Sequence, residues 1–119
     1  MPDAVEIKIS IVRVVGSPFC VSIDDGHLLH DRITRVLDAG NFVELSFDGV
    51  KRLTTAFLNA SMGQLYNEYT EEQIRQCVRI VEASQDSLRL IKRVVDNAKR
   101  FFADPVRAGE QLKKLIEDE

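Results

Sequence analysis

Cysteine is scarce in this chain, which has only Cys20 and Cys77 among 119 residues. The two lie far apart among apolar neighbours, and this matches neither the ligand spacing of a zinc site nor a disulfide-rich scaffold. A fold held together by disulfides is therefore excluded. We expect both side chains to be reduced thiols of a cytoplasmic protein.

Long apolar segments are also missing. No hydrophobic run approaches the roughly 18–20 residues that a helix needs to cross a bilayer. The first residues lack the basic and apolar regions of a signal peptide. We therefore expect no membrane span and a cytoplasmic location.

The motifs of common active sites are absent as well. Neither the Gly-x-Ser-x-Gly of hydrolases nor a glycine-rich loop that cradles nucleotide phosphates occurs. His27 and His30 share one predicted helix, but two histidines are too few for a structural or catalytic zinc. The sequence predicts no catalytic residue, no metal site and no cofactor, so we expect a protein that is not an enzyme.

The charge balance argues against a nucleic-acid partner. The net charge is -3, whereas a dedicated nucleic-acid binder would be basic. A predicted helix carries Arg89, Lys92, Arg93, Lys99 and Arg100, but such a face is usually solvated and no aromatic stacking residues are interleaved with it. Association with RNA or DNA through this helix is the weakest of three functional hypotheses.

What the chain does contain is the composition of one ordinary domain. Hydrophobic residues make up 45% and charged residues 29% of the sequence, close to the globular average. The length suffices for one core but not for two. We predict a single domain over residues 1–119.

The first part of the chain predicts a β-hairpin. Residues 5–15 alternate apolar and polar side chains and are rich in β-branched types, as expected for a strand. Gly16, Ser17 and Pro18 have turn chemistry, and residues 19–23 form a second short run. We expect the two strands to pair antiparallel.

Helix periodicity then alternates with strand patterns. The first predicted helix begins after a cap at Asp24 or Asp25 and ends at a glycine suited to a left-handed cap. The second begins at Thr54 or Thr55 and runs to about Tyr69.

Further strands are predicted over residues 42–47 and 74–81, and a third helix follows caps at residues 84–87. Asp104-Pro105 begins a fourth helix over residues 104–119, whose thin apolar face predicts a peripheral position. The order predicts an α/β domain with a mixed sheet, in which an antiparallel first pair precedes parallel crossovers, covered by about four helices.

One stretch carries a recognisable pattern. Residues 43–50 form an apolar strand that ends in Asp-Gly-Val, and residues 53–57 place two threonines before a phenylalanine. This pattern resembles the STAS-like domain family of unknown function, and the resemblance extends from Asp25-Gly26 through the third helix. It implies the fold of the STAS domains of anti-sigma-factor antagonists and sulfate transporters.

The resemblance also implies a switch. In the antagonists, a serine at the start of the second helix is phosphorylated by a partner kinase, which abolishes binding. Thr55 stands at that position here, with Thr54 beside it as a second candidate. The pattern departs at both flanks, because Thr54 replaces an aspartate and Phe57 replaces a glycine.

We therefore expect a regulatory module that binds a histidine-kinase-like ATPase or an anti-sigma-type protein. The alternative is a small-ligand or nucleotide sensor that uses the start of the second helix as an anion site. A homodimer is left open. The candidate binding surface consists of the loops and helix starts at Asp24, Asp25, Gly26, Asp48, Gly49, Thr54 and Thr55.

Overall fold

The computed structural model describes residues 4–103. Helices and strands alternate along this part of the chain, in agreement with the predicted α/β class. The predicted helix over residues 104–119 lies outside the described residues. The elements are β1 (Glu6–Ser10), α1 (Ile11–Val15), β2 (Phe19–Cys20), α2 (Ile23–Asp38), β3 (Phe42–Ser46), β4 (Arg52–Leu53), α3 (Thr55–Leu58), a π-helical segment (Asn59–Gly63), α4 (Leu65–Glu68), α5 (Glu71–Cys77), β5 (Val78–Val81) and α6 (Gln85–Ala103).

The strands form two small parallel sheets. The larger has the order β1-β3-β5, with Ile7 opposite Val43 and Val43 opposite Val78. The smaller pairs β2 with β4. Parallel neighbours need crossover connections, and α2 lies between β1 and β3 in the chain, while α3 to α5 lie between β3 and β5.

The predicted antiparallel hairpin is wrong. β1 stops at Ser10, whose hydroxyl accepts a hydrogen bond from Arg13 N at 3.3 Å and caps α1. The apolar residues of α1 that reach the core, Ile11, Val14 and Val15, have the spacing of one helix face. Since α1 separates the two strands, β2 pairs parallel with β4 instead.

The predicted strand over residues 74–81 is half right. Its first half belongs to α5, which begins at a capping box in which Thr70 and Gln73 bond each other's backbone N–H at 3.1 and 2.9 Å. Only Val78–Val81 forms a strand. Ile74 is buried although it belongs to α5. Its apolar side chain therefore fits a helix as well as the predicted strand.

The faces of the larger sheet differ in chemistry. Ile9, Val43 and Leu45 belong to the core. Alternate residues point to the opposite face, where Lys8 Nζ lies 2.8 Å from Glu82 Oε1 and an Arg79 nitrogen lies 2.9 Å from Glu6 Oε1. The charged side chains of this face are partly exposed and form ion pairs with one another. Most parallel sheets differ, because both of their faces are apolar.

The helices pack most closely where α2 crosses the segment from α3 to the π-helical turn. A Cβ atom placed on Gly26 would lie 2.7 Å from both Phe57 O and Ala60 Cβ. One turn further along α2, His30 Nδ1 donates to Ser61 O at 2.9 Å, and His30 Nε2 lies 2.9 Å from Glu68 Oε1. Gly26 is therefore needed for close approach of the backbones.

We expect Gly26→Ala to lower the free energy of unfolding by about 1–3 kcal/mol, because the added methyl group has no room. Gly63→Ala is the matched control, since its Cβ would have no contact closer than 3.4 Å and alanine favours a helix by up to about 1 kcal/mol. Urea unfolding of both variants checks this. Equal effects at the two glycines would contradict the close crossing.

Candidate functional site

The starts of α2 and α3 lie side by side because the chain between β2 and α2 is bonded to Thr54. Thr54 N donates to Cys20 O at 3.2 Å, and Thr54 Oγ1 donates to Val21 O at 3.0 Å. Residue 22 then caps α2, as residue 54 caps α3. The two helix starts are thus joined through one short extended segment.

Thr54 has a structural role at this junction. Besides donating to Val21 O, its hydroxyl accepts from Phe57 N at 3.2 Å, as an N-cap does. The predicted start of the second helix is therefore confirmed at Thr54. With one bond donated and one accepted, this hydroxyl links α3 to the chain before α2.

Thr55 is the first residue of α3 and is exposed to solvent. It is not the cap, so a change of its side chain leaves the bonds of Thr54 in place. Ala56, which follows it, is exposed too. The two candidate switch residues therefore differ. The side chain of Thr55 is exposed and free of the bonds that fix the start of α3, whereas the hydroxyl of Thr54 forms those bonds.

The start of α2 differs from the expectation. Ser22, rather than Asp24 or Asp25, caps the helix by accepting from Asp25 N at 3.0 Å. Asp24 and Asp25 lie in the first turn, where negative charge is stabilised by the helix dipole. Gly26 is buried in the helix crossing, so it supports the surface from beneath.

The predicted site residues Asp48 and Gly49 lie in a turn at the carboxyl end of β3. Asp48 N donates to Ser46 Oγ at 3.2 Å, and Gly49 has a left-handed backbone with φ of 83°. The nearest atom to a Cβ on Gly49 would be Val12 Cγ2, at 3.5 Å. This turn therefore lies against β3 and α1, and no hydrogen bond within residues 4–103 joins Asp48 or Gly49 to Thr54.

Sequence reasoning missed an exposed apolar feature beside the helix starts. Phe19, Val21 and Ile23 are 53%, 39% and 55% exposed, and we call these three residues the apolar strip. They alternate with Cys20, which is fully buried, and with the cap Ser22. The alternation was visible in the sequence, but which side of the segment faced the core was not.

Cys20 itself is not suited to nucleophilic chemistry. Burial, and to a smaller extent the nearby carboxylate of Asp25, raises the pKa of its thiol to about 11. The thiol is therefore protonated at neutral pH, whereas the thiolate is the reactive form. Both effects are typical of a cysteine that packs in a core.

A second polar cluster lies at the carboxyl end of the sheet, where α/β folds often bind ligands. Glu82 has a left-handed backbone with φ of 58°, and its Oε1 accepts from Ser46 Oγ at 3.0 Å and from Lys8 Nζ at 2.8 Å. The bond from Lys8, followed by that from Ser46, lowers the pKa of Glu82. These groups satisfy one another, which indicates a structural cluster.

The basic face of α6 is largely paired with carboxylates. Arg89 bonds Asp86 at 2.8 Å, and Lys92 bonds Asp96 at 3.0 Å. Lys99 reaches Glu71 of α5 at 3.0 Å. The surface is therefore less cationic than its sequence indicates.

Two observations on residues 4–103 bear on other classes of site. This part of the chain brings no three histidine, cysteine, aspartate or glutamate side chains together as a metal site would require. Among the same residues, no helix combines the length and apolar character needed to cross a membrane.

Comparison with known families identifies the chain. Residues 25–88, more than half of the chain, match a family described as a STAS-like domain of unknown function. The chain belongs to this family. The resemblance seen in the sequence is thus confirmed. The matched part of the STAS-like domain runs from the first turn of α2 to the first turn of α6 and includes both candidate threonines. No curated protein and no solved structure matches the chain.

We expect Thr54→Ala to lower the free energy of unfolding by about 1–2 kcal/mol, because it removes the cap of α3 and the bond to Val21 O. Thr55→Ala should change it by less than about 0.5 kcal/mol, as for an ordinary surface residue. Thermal and urea unfolding of the two variants checks this pair. A larger loss at Thr55 than at Thr54 would contradict the assignment of the cap.

Proposed function

We propose that this STAS-like domain is a non-enzymatic regulatory module that binds a protein partner. The partner would dock on the apolar strip and the neighbouring start of α3. The observation that carries the proposal is the exposure of Phe19, Val21 and Ile23 on a segment that is bonded to Thr54, the residue before the exposed Thr55.

The chemistry of the strip favours protein contact. Three large apolar side chains at alternate positions are each at least 39% exposed, and clustered exposure of this kind is typical of interaction sites. Aromatic residues such as Phe19 are common anchors in interfaces. The underlying Cys20 and Gly26 are buried, so the strip rests on the core and is preorganised.

We also propose that the domain catalyses no reaction of its own. The most nucleophilic groups near the helix starts are engaged or buried: Cys20 has a raised pKa, and the Thr54 hydroxyl holds two backbone segments together. Ser46 and Ser61 are buried, and both hydroxyls donate to protein oxygens. These arrangements support binding rather than turnover.

Thr55 is the residue that could regulate such binding. A phosphoryl group on Thr55 would add about two negative charges beside the positive end of a helix, where the folded domain tolerates them. The same charges would lie next to the apolar strip, and a partner matched to an apolar surface would have to desolvate them. The family resemblance suggests a histidine-kinase-like ATPase or an anti-sigma-type protein as this partner.

The two other hypotheses lack comparable support. The anion site was predicted at the start of α3, and Thr54 bonds that start to the chain leading into α2. The first turn of α2 carries Asp24 and Asp25, whose negative charge disfavours an anionic ligand at this junction. The cations of α6 that would contact nucleic acid are mostly engaged in ion pairs. We therefore prefer the protein-binding function.

The test compares variants of the full chain for affinity toward a partner captured with the wild-type protein and then purified. Phe19→Ser should weaken binding by about tenfold or more, as expected for loss of an interface anchor. Leu88→Ser is the matched control, because Leu88 is a similarly exposed apolar residue, 39% exposed, on α6. Equal effects of the two changes would refute the proposed surface.

The switch is tested separately. Thr55→Glu should weaken partner binding while Thr55→Ala leaves it within about threefold, because only the first adds charge beside the strip. Both variants should unfold at nearly the wild-type temperature. Unchanged affinity in a stably folded Thr55→Glu variant would refute the switch and leave the binding surface standing.

A further inference from the structure

β1 forms one edge of the larger sheet, and among residues 4–103 no strand pairs with its outer side. The hydrogen-bond pattern between β1 and β3 determines which backbone groups of β1 point toward this outer side. Phe42 N donates to Val5 O at 2.9 Å, and in a parallel ladder the residues that bond one neighbour alternate with those that face the other side. The backbone N–H groups that point outward are those of Glu6, Lys8 and Ser10.

A groove runs along this open edge. The backbone of residues 7–10 forms one side, and α1 and α2 form the other through Val14 and Val36. Arg13 and Arg32 complete its lining. The groove thus combines free strand hydrogen bonds with apolar walls and two guanidinium groups.

The charge of the groove is opposite to that of the whole chain. Within the described part of the chain no acidic residue lines it, although the whole sequence carries a net charge of -3. Arg13 and Arg32 are exposed, and neither forms an ion pair with any carboxylate of residues 4–103. Lys8 does not add to this charge, because its ammonium is bound to Glu82 on the open face.

We propose that this groove binds an extended acidic segment of a partner protein, which joins the sheet as a fourth strand beside β1. Backbone hydrogen bonds along β1 provide the affinity of such strand addition. Alternate side chains of the bound segment enter the flanking pockets and provide the specificity. The apolar walls at Val14 and Val36 accept one set of side chains. Arg13 and Arg32 bind carboxylates of the segment through charge-assisted hydrogen bonds.

This site is separate from the apolar strip. Arg32 lies nine residues after Ile23 on α2, which is about 13 Å along the helix axis. A second copy of the chain is a poor occupant, because it would bring an identical groove and set arginines against arginines. An acidic partner has the complementary charge.

The decisive variant is Lys8→Pro. Proline removes the backbone N–H of residue 8, which points away from β3, and an edge strand tolerates proline at such a position. Lys8→Ala is its matched control, because both changes remove the ion pair with Glu82 but alanine keeps the N–H. A difference between them therefore reports a hydrogen bond to a ligand at the edge.

The probe is a fluorescein-labelled decapeptide of alternating valine and glutamate, and its comparison is the same length of alternating valine and lysine. Fluorescence anisotropy with the full chain should show the acidic peptide binding at least about tenfold more tightly. Lys8→Pro should weaken that binding about tenfold relative to Lys8→Ala. Changing both Arg13→Glu and Arg32→Glu should abolish it.

Three results would overturn the proposal. These are no binding of the acidic peptide, equal binding of the acidic and basic peptides, or equal affinities of folded Lys8→Pro and Lys8→Ala. A wild-type dimer in sedimentation that Lys8→Pro dissociates would instead assign the edge to a second copy. Tighter peptide binding after Glu117→Lys, Asp118→Lys and Glu119→Lys together would assign it to the chain's own acidic end.

Discussion

The close crossing of α2 over the segment that begins with α3 is the contact on which the candidate site depends. It is possible because Gly26 has no side chain, and Phe57 O and Ala60 Cβ occupy the space that a methyl group would need. The crossing brings the two helix starts together, so that Thr54 can bond Val21 O. The crossing and the bonds of Thr54 together hold the start of α3 against the segment that carries the apolar strip.

The sheet imposes a second constraint on function. Its three strands run parallel, and one face carries ion pairs such as Lys8–Glu82 and Arg79–Glu6, with no second layer of helices among residues 4–103. Ion pairs on an exposed face contribute little stability, so the apolar face must supply most of it. The polar face leaves the edge of β1 accessible beside α1 and α2, and this produces the groove at Arg13 and Arg32.

The two proposed binding surfaces on one small domain would suit a regulatory protein. The apolar strip lies on a segment bonded to Thr54, next to the proposed switch residue Thr55. The β1 groove is proposed to offer backbone bonds and fixed positive charge. Apolar docking responds strongly to a new phosphoryl charge, while pairing along a strand edge depends mainly on the backbone. A partner held at the groove could therefore remain bound while contact at the strip is switched.

Sequence periodicity and cap residues alone determined the α/β class, the end of α2 before the left-handed Gly40 and the start of α3 at Thr54, because these are local features of backbone and side chain. Local patterns failed at residues 11–15 and 74–77, where β-branched and apolar residues fit a strand equally well. Both segments are helical in the structure, where Ile11 and Ile74 are buried against the core. Strand direction, the exposure of Phe19, Val21 and Ile23, and the place of β1 at the edge of the sheet formed by residues 4–103 arise from contacts distant in sequence. Only the tertiary structure decided them.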